Sequence, residues 1–175
     1  MRRRGFILVR YIAIVLSGLL LIACEKVAEP LNFQRISVTA GPCNGVCPEY
    51  SLSVDANGVV GFIGKRNVVI QAGRAETLSA EKFEALKAAL RSANIPALQN
   101  DYNSAATCPV KSNGHSELFW QVEISGVSKT IRQNLGCASA PDANGQSARV
   151  PPQLDALYAV LLQTTAARAW IYAAP

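Results

Sequence analysis

The sequence predicts an α+β domain: an antiparallel sheet built from an N-terminal strand and two hairpins, with two helices packed on one face. Three observations lead there. Two pairs of segments alternate apolar and polar residues around Asn57-Gly58 and Ser125-Gly126. Two other segments carry apolar residues at helical spacing. The resulting order is strands, helix, strands, helix, with no internal repeat and no long low-complexity segment.

Taken in order, Phe33 to Ala40 reads as the first strand, with Ile36, Val38 and Ala40 on one face. Gly41 to Pro48 is a turn, because its Gly, Pro and Asn residues cannot continue a central strand. Tyr50, Leu52 and Val54 alternate with Ser51, Ser53 and Asp55 in a second strand. Asn57-Gly58 predicts a tight I′ turn with positive φ at both central positions, and Val59 to Ile63 returns. Val68 to Ile70 is a further short strand candidate. Ser79 then caps a helix whose Phe83, Leu86 and Leu90 form an apolar stripe, and Ser92 to Pro96 ends it. Glu81 and Glu84 sit near the positive end of its dipole. Leu118, Trp120, Val122 and Ile124 alternate with Phe119, Gln121 and Glu123, and Ser128 to Gln133 returns. Asp142 to Ser147 is a polar loop. Pro152 opens the final helix, with Leu154, Leu157, Tyr158, Leu161 and Leu162 on one side; Trp170 and Ile171 complete the core.

The 175 residues allow one domain with appendages; half are hydrophobic and 17% are charged, which excludes a disordered chain. The net charge of +5 is misleading. Four arginines (Arg2, Arg3, Arg4, Arg10) precede the first acid, Glu25. Removing residues 1–23 leaves 13 of the 17 basic groups against 12 acidic ones, a net of +1. A near-neutral mature chain gives no warrant for a nucleic-acid partner.

The N-terminus reads as an address. A cationic start is followed by an apolar run whose uncharged part, Tyr11 to Ala23, spans roughly 20 Å as a helix, short of a ~30 Å hydrocarbon core. A signal peptide over residues 1–23 is therefore expected, not a membrane span. It ends in Leu21-Ile22-Ala23-Cys24, which resembles the lipobox of bacterial lipoproteins. The resemblance implies lipidation of Cys24 and cleavage before it, with enough acyl chains for stable anchoring. An ordinary signal peptide with a chance cysteine is the plainer reading, and the fit of all four lipobox positions argues against it. In Gram-negative lipoproteins an Asp after the cysteine favours the inner membrane, so Glu25 favours the outer one. Residues 24–31 form a lipidated tether, and 32–175 a single α+β domain.

One segment carries a second resemblance. The run from Ile36 to Val54, through Gly41-Pro42-Cys43-Asn44-Gly45-Val46-Cys47-Pro48-Glu49-Tyr50 and on to Asn57-Gly58, resembles the bacterial family called domain of unknown function 6438. That pattern is a strand, then G-P-C-x-G-x-C-P-x-Y, then an alternating strand and an N-G or D-G turn. The helix with Phe83, the Asp101-x-Asn103 region, the second hairpin and a helix ending near Trp170 follow in the family's order. The chain departs from the pattern after Asp101, where an insertion bearing Cys108 and Cys137 replaces a simpler loop. The resemblance implies a fold unit and an envelope setting, with no reaction attached.

Four cysteines remain once Cys24 is lipidated, an even number in an oxidising compartment. The preferred pairing is Cys43–Cys47 and Cys108–Cys137. Residues i and i+4 of a helix-like turn have Cα atoms roughly 6 Å apart, within disulfide range. A turn near residue 126 pairs positions summing to about 251, which puts Cys108 and Cys137 near the open end of that hairpin. The competing reading of Cys43-Asn44-Gly45-Val46-Cys47-Pro48 is thiol chemistry. C-x-x-x-C-P looks like the motif of Sco-type copper chaperones, and His115 would add an imidazole to a Cys43, Cys47 copper site. Such chaperones carry it on a thioredoxin fold, entering a helix, whereas a β alternation follows here from Tyr50. His115 is the only histidine, in a polar loop, and no Lys or Arg flanks the two cysteines closely enough to depress a thiol pKa.

Hydrolytic chemistry has little support: a triad would have to use His115, and no nucleophile elbow occurs. Asp101, Glu117 and Glu123 read as a solvated strand face rather than a carboxylate pair. Tyr102, Phe119 and Trp120 are an aromatic-patch candidate; Trp120 is expected in the core and Phe119 on the other face, under the 138–150 loop. The expectation is a non-enzymatic envelope lipoprotein that needs no cofactor and binds an envelope protein or small ligand. It is held at the membrane by its anchor, at the periplasmic side of the outer membrane.

Overall fold

The computed structural model describes residues 31–173. The signal peptide, Cys24 and the tether through Pro30 lie outside the described residues. The elements are β1 (Phe33–Ala40), β2 (Glu49–Asp55), β3 (Val59–Arg66), β4 (Gly73–Thr77), α1 (Ala80–Ala93), a 3₁₀ turn (Ile95–Ala97), β5 (Asp101–Tyr102), β6 (Val110–Lys111), β7 (Glu117–Ile124), β8 (Val127–Asn134), β9 (Cys137–Ala138), α2 (Pro152–Thr164) and α3 (Ala167–Ile171). Seven strands form one sheet in the order β4-β3-β2-β1-β7-β8-β5, and β6 pairs with β9 separately. The fold is α+β and the sheet is mostly antiparallel, with one correction: β5 runs parallel to β8.

Alternation in the sequence becomes sidedness in the sheet. Ile36 and Val38 of β1, Tyr50, Leu52 and Val54 of β2, Val60 and Phe62 of β3, and Leu118, Trp120 and Val122 of β7 are all 1% exposed or less. Leu86 and Leu90 of α1 and Leu154, Leu157 and Leu161 of α2 join the same core. The leucines at the centre of both apolar stripes are therefore buried, while Phe83, Tyr158 and Leu162 of the same stripes are partly buried against the core. The Ser79 hydroxyl accepts from the Lys82 N–H at 3.3 Å, capping α1 as expected. At the other end Asn94 turns left-handed, with φ of 45°, and stops the helix.

The two hairpins exchange the expected turn geometry. Ser125 and Gly126 both have positive φ, 48° and 78°, and the register Ile124↔Val127 sums to 251. At the first hairpin only Gly58 is positive, at 74°. Asp55 Oδ1 accepts from the Asn57 and Val59 N–H groups, which builds a three-residue loop in place of the I′ turn.

The strand candidate at Val68 to Ile70 is a bend, and the fourth strand is Gly73–Thr77. The backbone explains the shift. Val69 and Ile70 donate to the carbonyls of Ile171 and Trp170, so their N–H groups are spent on α3 and not on the sheet. Gly64 permits this approach, since a Cβ there would lie 1.8 Å from the Ile70 carbonyl oxygen.

Candidate functional site

The C-terminal ends of β1, β3, β5 and β8 and the N-terminal ends of β2 and β7 meet at one end of the sheet. The connections leaving that end carry all four cysteines of the described residues and His115. Cys43 and Cys47 lie at disulfide distance, with Cα atoms 5.8 Å apart. Cys108 and Cys137 also lie at disulfide distance, with Cα atoms 5.3 Å apart. The second pair is buried and ties the segment before β6 to β9, where Lys111 of β6 faces Cys137. The first sits on an exposed turn whose Val46 is 85% exposed.

The turn is held on three sides. Asn67 Nδ2 donates to the Cys47 carbonyl at 3.0 Å. The Ser116 hydroxyl donates to the Gly41 carbonyl at 3.0 Å. Gly114 packs so near that a Cβ on it would sit 3.6 Å from Asn44 Cβ. The loop bearing His115 therefore touches the cysteine turn through Asn44. His115 itself is exposed, with its ring edge against Gly136: a Cβ there would lie 2.7 Å from His115 Cδ2. Among the described residues, no group of three or more His, Cys, Asp or Glu is arranged to hold a metal ion.

The carboxylates divide. Glu117 and Arg132 form a bidentate pair at 2.8 and 2.9 Å across β7 and β8, and Asp101 stands opposite Arg132 in register. Glu117's hydrogen bond and charge, and then the charge of Asp101, hold the Arg132 guanidinium more firmly protonated. Asp101 Oδ1 is buried without a partner among the described groups. Glu123 lies away from this cluster, at the far end of β7. Among the aromatics, Trp120 is fully buried and Tyr102 nearly so, whereas Phe119 is 40% exposed on the opposite face and the 138–150 loop does not bury it.

Sequence reasoning missed the buried polar connections. Trp120 Nε1 donates to Gln133 Oε1 at 3.0 Å, and Gln133 Nε2 donates to Asp155 Oδ1 at 3.0 Å. Burial raises the Asp155 carboxyl above the ordinary carboxylate range, opposed by Arg149 and by the bond from Gln133. The Tyr50 and Tyr158 hydroxyls meet between β2 and α2, and burial raises both phenols. One signal was present: a buried indole N–H requires an acceptor, and the hairpin register sets Gln133 diagonal to Trp120.

A family model described as Domain of unknown function (DUF6438) matches residues 34–161. The chain belongs to that family. The DUF6438 match takes in the cysteine turn, both long hairpins and most of α2. No curated protein matches the chain.

Proposed function

We propose that this DUF6438 protein is a non-enzymatic lipoprotein of the bacterial cell envelope, a binding module tethered through lipidated Cys24 at the periplasmic side of the outer membrane. In this reading both long helices pack on one sheet face, and two disulfides, Cys43–Cys47 and Cys108–Cys137, pin the loops at one end of the sheet. The observation that carries it is the pairing of all four remaining cysteines at disulfide distance. Such usage suits an oxidising compartment, and the lipobox supplies the route there. The test is isolation from envelopes after labelling with a palmitate analogue. Label on Cys24 and non-reducing peptide maps linking 43 to 47 and 108 to 137 are expected. Unlabelled protein in the soluble fraction would overturn the anchor.

A second reading is favoured by one contact. The loop carrying His115 touches the exposed cysteine turn at Asn44. Reduced, Cys43 and Cys47 would offer two thiolates to Cu(I), with His115 on the adjoining loop. Selective opening of this pair by mild reductant, followed by Cu(I) binding that His115→Ala weakens, would support it over the structural disulfide.

A further inference from the structure

Four Asn-Gly pairs occur in the chain: Asn44-Gly45, Asn57-Gly58, Asn113-Gly114 and Asn144-Gly145. In each the asparagine is exposed. Such a pair carries its own electrophile and nucleophile. The glycine nitrogen can close a five-membered ring on the asparagine side-chain carbonyl carbon, and glycine has no Cβ to hinder the approach. The glycine N–H proton must leave for the ring to close. A hydrogen bond donated by that N–H opposes the reaction, because it favours the protonated amide and fixes the peptide plane.

The fold treats the four pairs differently. Gly58 is buried and donates to the Asp55 carbonyl at 3.0 Å, inside the loop of the first hairpin. Gly145 donates to the Asp142 carbonyl at 3.0 Å. Its loop repeats the first one: Asp142 Oδ1 accepts from the Asn144 and Gln146 N–H groups as Asp55 Oδ1 does from Asn57 and Val59. Gly45 donates to the Cys43 carbonyl at 3.0 Å, in the turn between the two cysteines. Gly114 is the exception. Among the described residues, neither its N–H nor the Asn113 side-chain amide has a hydrogen-bond partner. Both ends of this exposed turn are nevertheless anchored. The Ser112 N–H donates to the Gly136 carbonyl at 2.9 Å, and the Ser116 hydroxyl donates to the Gly41 carbonyl at 3.0 Å.

We propose that Asn113 is a site of spontaneous deamidation, and that its conversion alters the contact between the His115 loop and the cysteine turn. In the first step the Gly114 nitrogen bonds to Asn113 Cγ and the Cγ–Nδ2 bond breaks. The displaced nitrogen leaves as ammonia, carrying the proton that Gly114 gave up. One water then opens the cyclic imide at either of its carbonyls. One opening places aspartate at position 113. The other gives isoaspartate, in which the main chain runs through the side chain and is longer by one methylene. That extra length falls directly before Gly114, where a Cβ would sit 3.6 Å from Asn44 Cβ. The loop is pinned at Ser112 and Ser116, so the added length has to be taken up between them, at the contact with Asn44. Neither the lipid anchor nor the copper reading enters this chemistry.

The test holds the full chain, purified in detergent micelles, at mildly alkaline pH and body temperature. Mass-spectrometric peptide maps follow amide-to-acid conversion at each pair, and enzymatic methylation specific for isoaspartate counts that product. In the folded protein Asn113 is expected to convert about tenfold faster than Asn44, Asn57 or Asn144, the difference that one hydrogen bond makes. The same chain, reduced and held in urea, is expected to convert all four at similar rates, which separates the effect of the fold from that of neighbouring sequence. Asn113→Gln, at an exposed position, should abolish the early product, because glutamine has to close a larger ring. Backbone amide resonances of Asn44 and Gly45 should shift as isoaspartate accumulates. Earlier conversion of another pair in the folded protein, the same ranking in urea, an early product that persists in Asn113→Gln, or unmoved Asn44 and Gly45 amides at full conversion would each overturn the proposal.

Discussion

The Trp120–Gln133–Asp155 chain gives the sharpest test of how this fold is held together. Gln133→Met keeps the side chain's length and removes both of its hydrogen-bonding functions. Trp120 is 0% exposed and Gln133 1%, so water cannot replace Gln133 as the acceptor for the indole N–H. An orphaned buried donor costs roughly 1–3 kcal/mol. Asp155 also loses the donor to its Oδ1, but it is only half-buried and retains Arg149 at 4.0 Å, so its share is about 1 kcal/mol. The sum is about 2–4 kcal/mol. For a domain of this size that lowers the thermal midpoint by roughly 5–15 °C. The control is Gln121→Met, on the exposed face, where the amide oxygen accepts from Ser37 at 3.4 Å; it should stay within about 0.5 kcal/mol. Urea unfolding followed by tryptophan fluorescence measures both. A Gln133→Met loss below about 1 kcal/mol, or a Gln121→Met loss equal to it, would refute the accounting.

Four further outcomes are expected. Asp155→Asn should be neutral or stabilising at neutral pH. The wild-type carboxyl has a folded pKa above its unfolded one, so its contribution to stability falls as pH rises through that window, and wild type should gain on the variant as pH is lowered; parallel stability curves from pH 7 to pH 4 would contradict this. Leu86→Ala, at a fully buried position, should cost about 2–5 kcal/mol, while Glu84→Ala, which loses only the surface pair with Lys87, should cost about 0.5 or less; equal denaturation midpoints would count against the assigned helix face. Replacing Cys108 and Cys137 together by Ala should lower stability by about 3.5 kcal/mol and replacing Cys43 and Cys47 by about 2, read from urea midpoints under oxidising conditions, because the first pair closes the longer loop; the reverse order would contradict the loop-entropy reasoning. Cys24→Ser should leave unprocessed precursor and abolish membrane fractionation, and a soluble, normally cleaved product would reject the lipobox reading.

Local patterns made the two-faced sheet legible. Period-2 alternation from Ile36 to Val54 and from Leu118 to Ile124 assigns each side chain to a face regardless of which strands pair, so the buried set could be read without knowing the topology. Helical spacing did the same for Leu86, Leu90, Leu154, Leu157 and Leu161. Cysteine arithmetic found the two pairs that lie at disulfide distance because one lies within a single turn and the other at the open end of a hairpin whose register its own turn sets. The short segments were not legible. Val68 to Ile70 reads as a strand, but α3 takes its hydrogen bonds; Asp101 reads as part of a solvated strand face with no partner named, and Asp101–Tyr102 pairs in parallel with β8. A few residues carry too little periodicity to choose, so the partner that satisfies their backbone decides.

The sequence by itself determined the class of fold and most of the side chains that make its core, and it favoured the two cysteine pairs that lie at disulfide distance, because each follows from spacing along the chain. Only the tertiary structure decided that β1 lies between β2 and β7 and that Gln133 links Trp120 to Asp155. The β1–β7 pairing joins residues 78 to 91 positions apart, and the chain through Gln133 joins residues 13 and 22 apart. They exist only after strand order is fixed by burial of one continuous apolar face, a property of the whole sheet that no local window encodes.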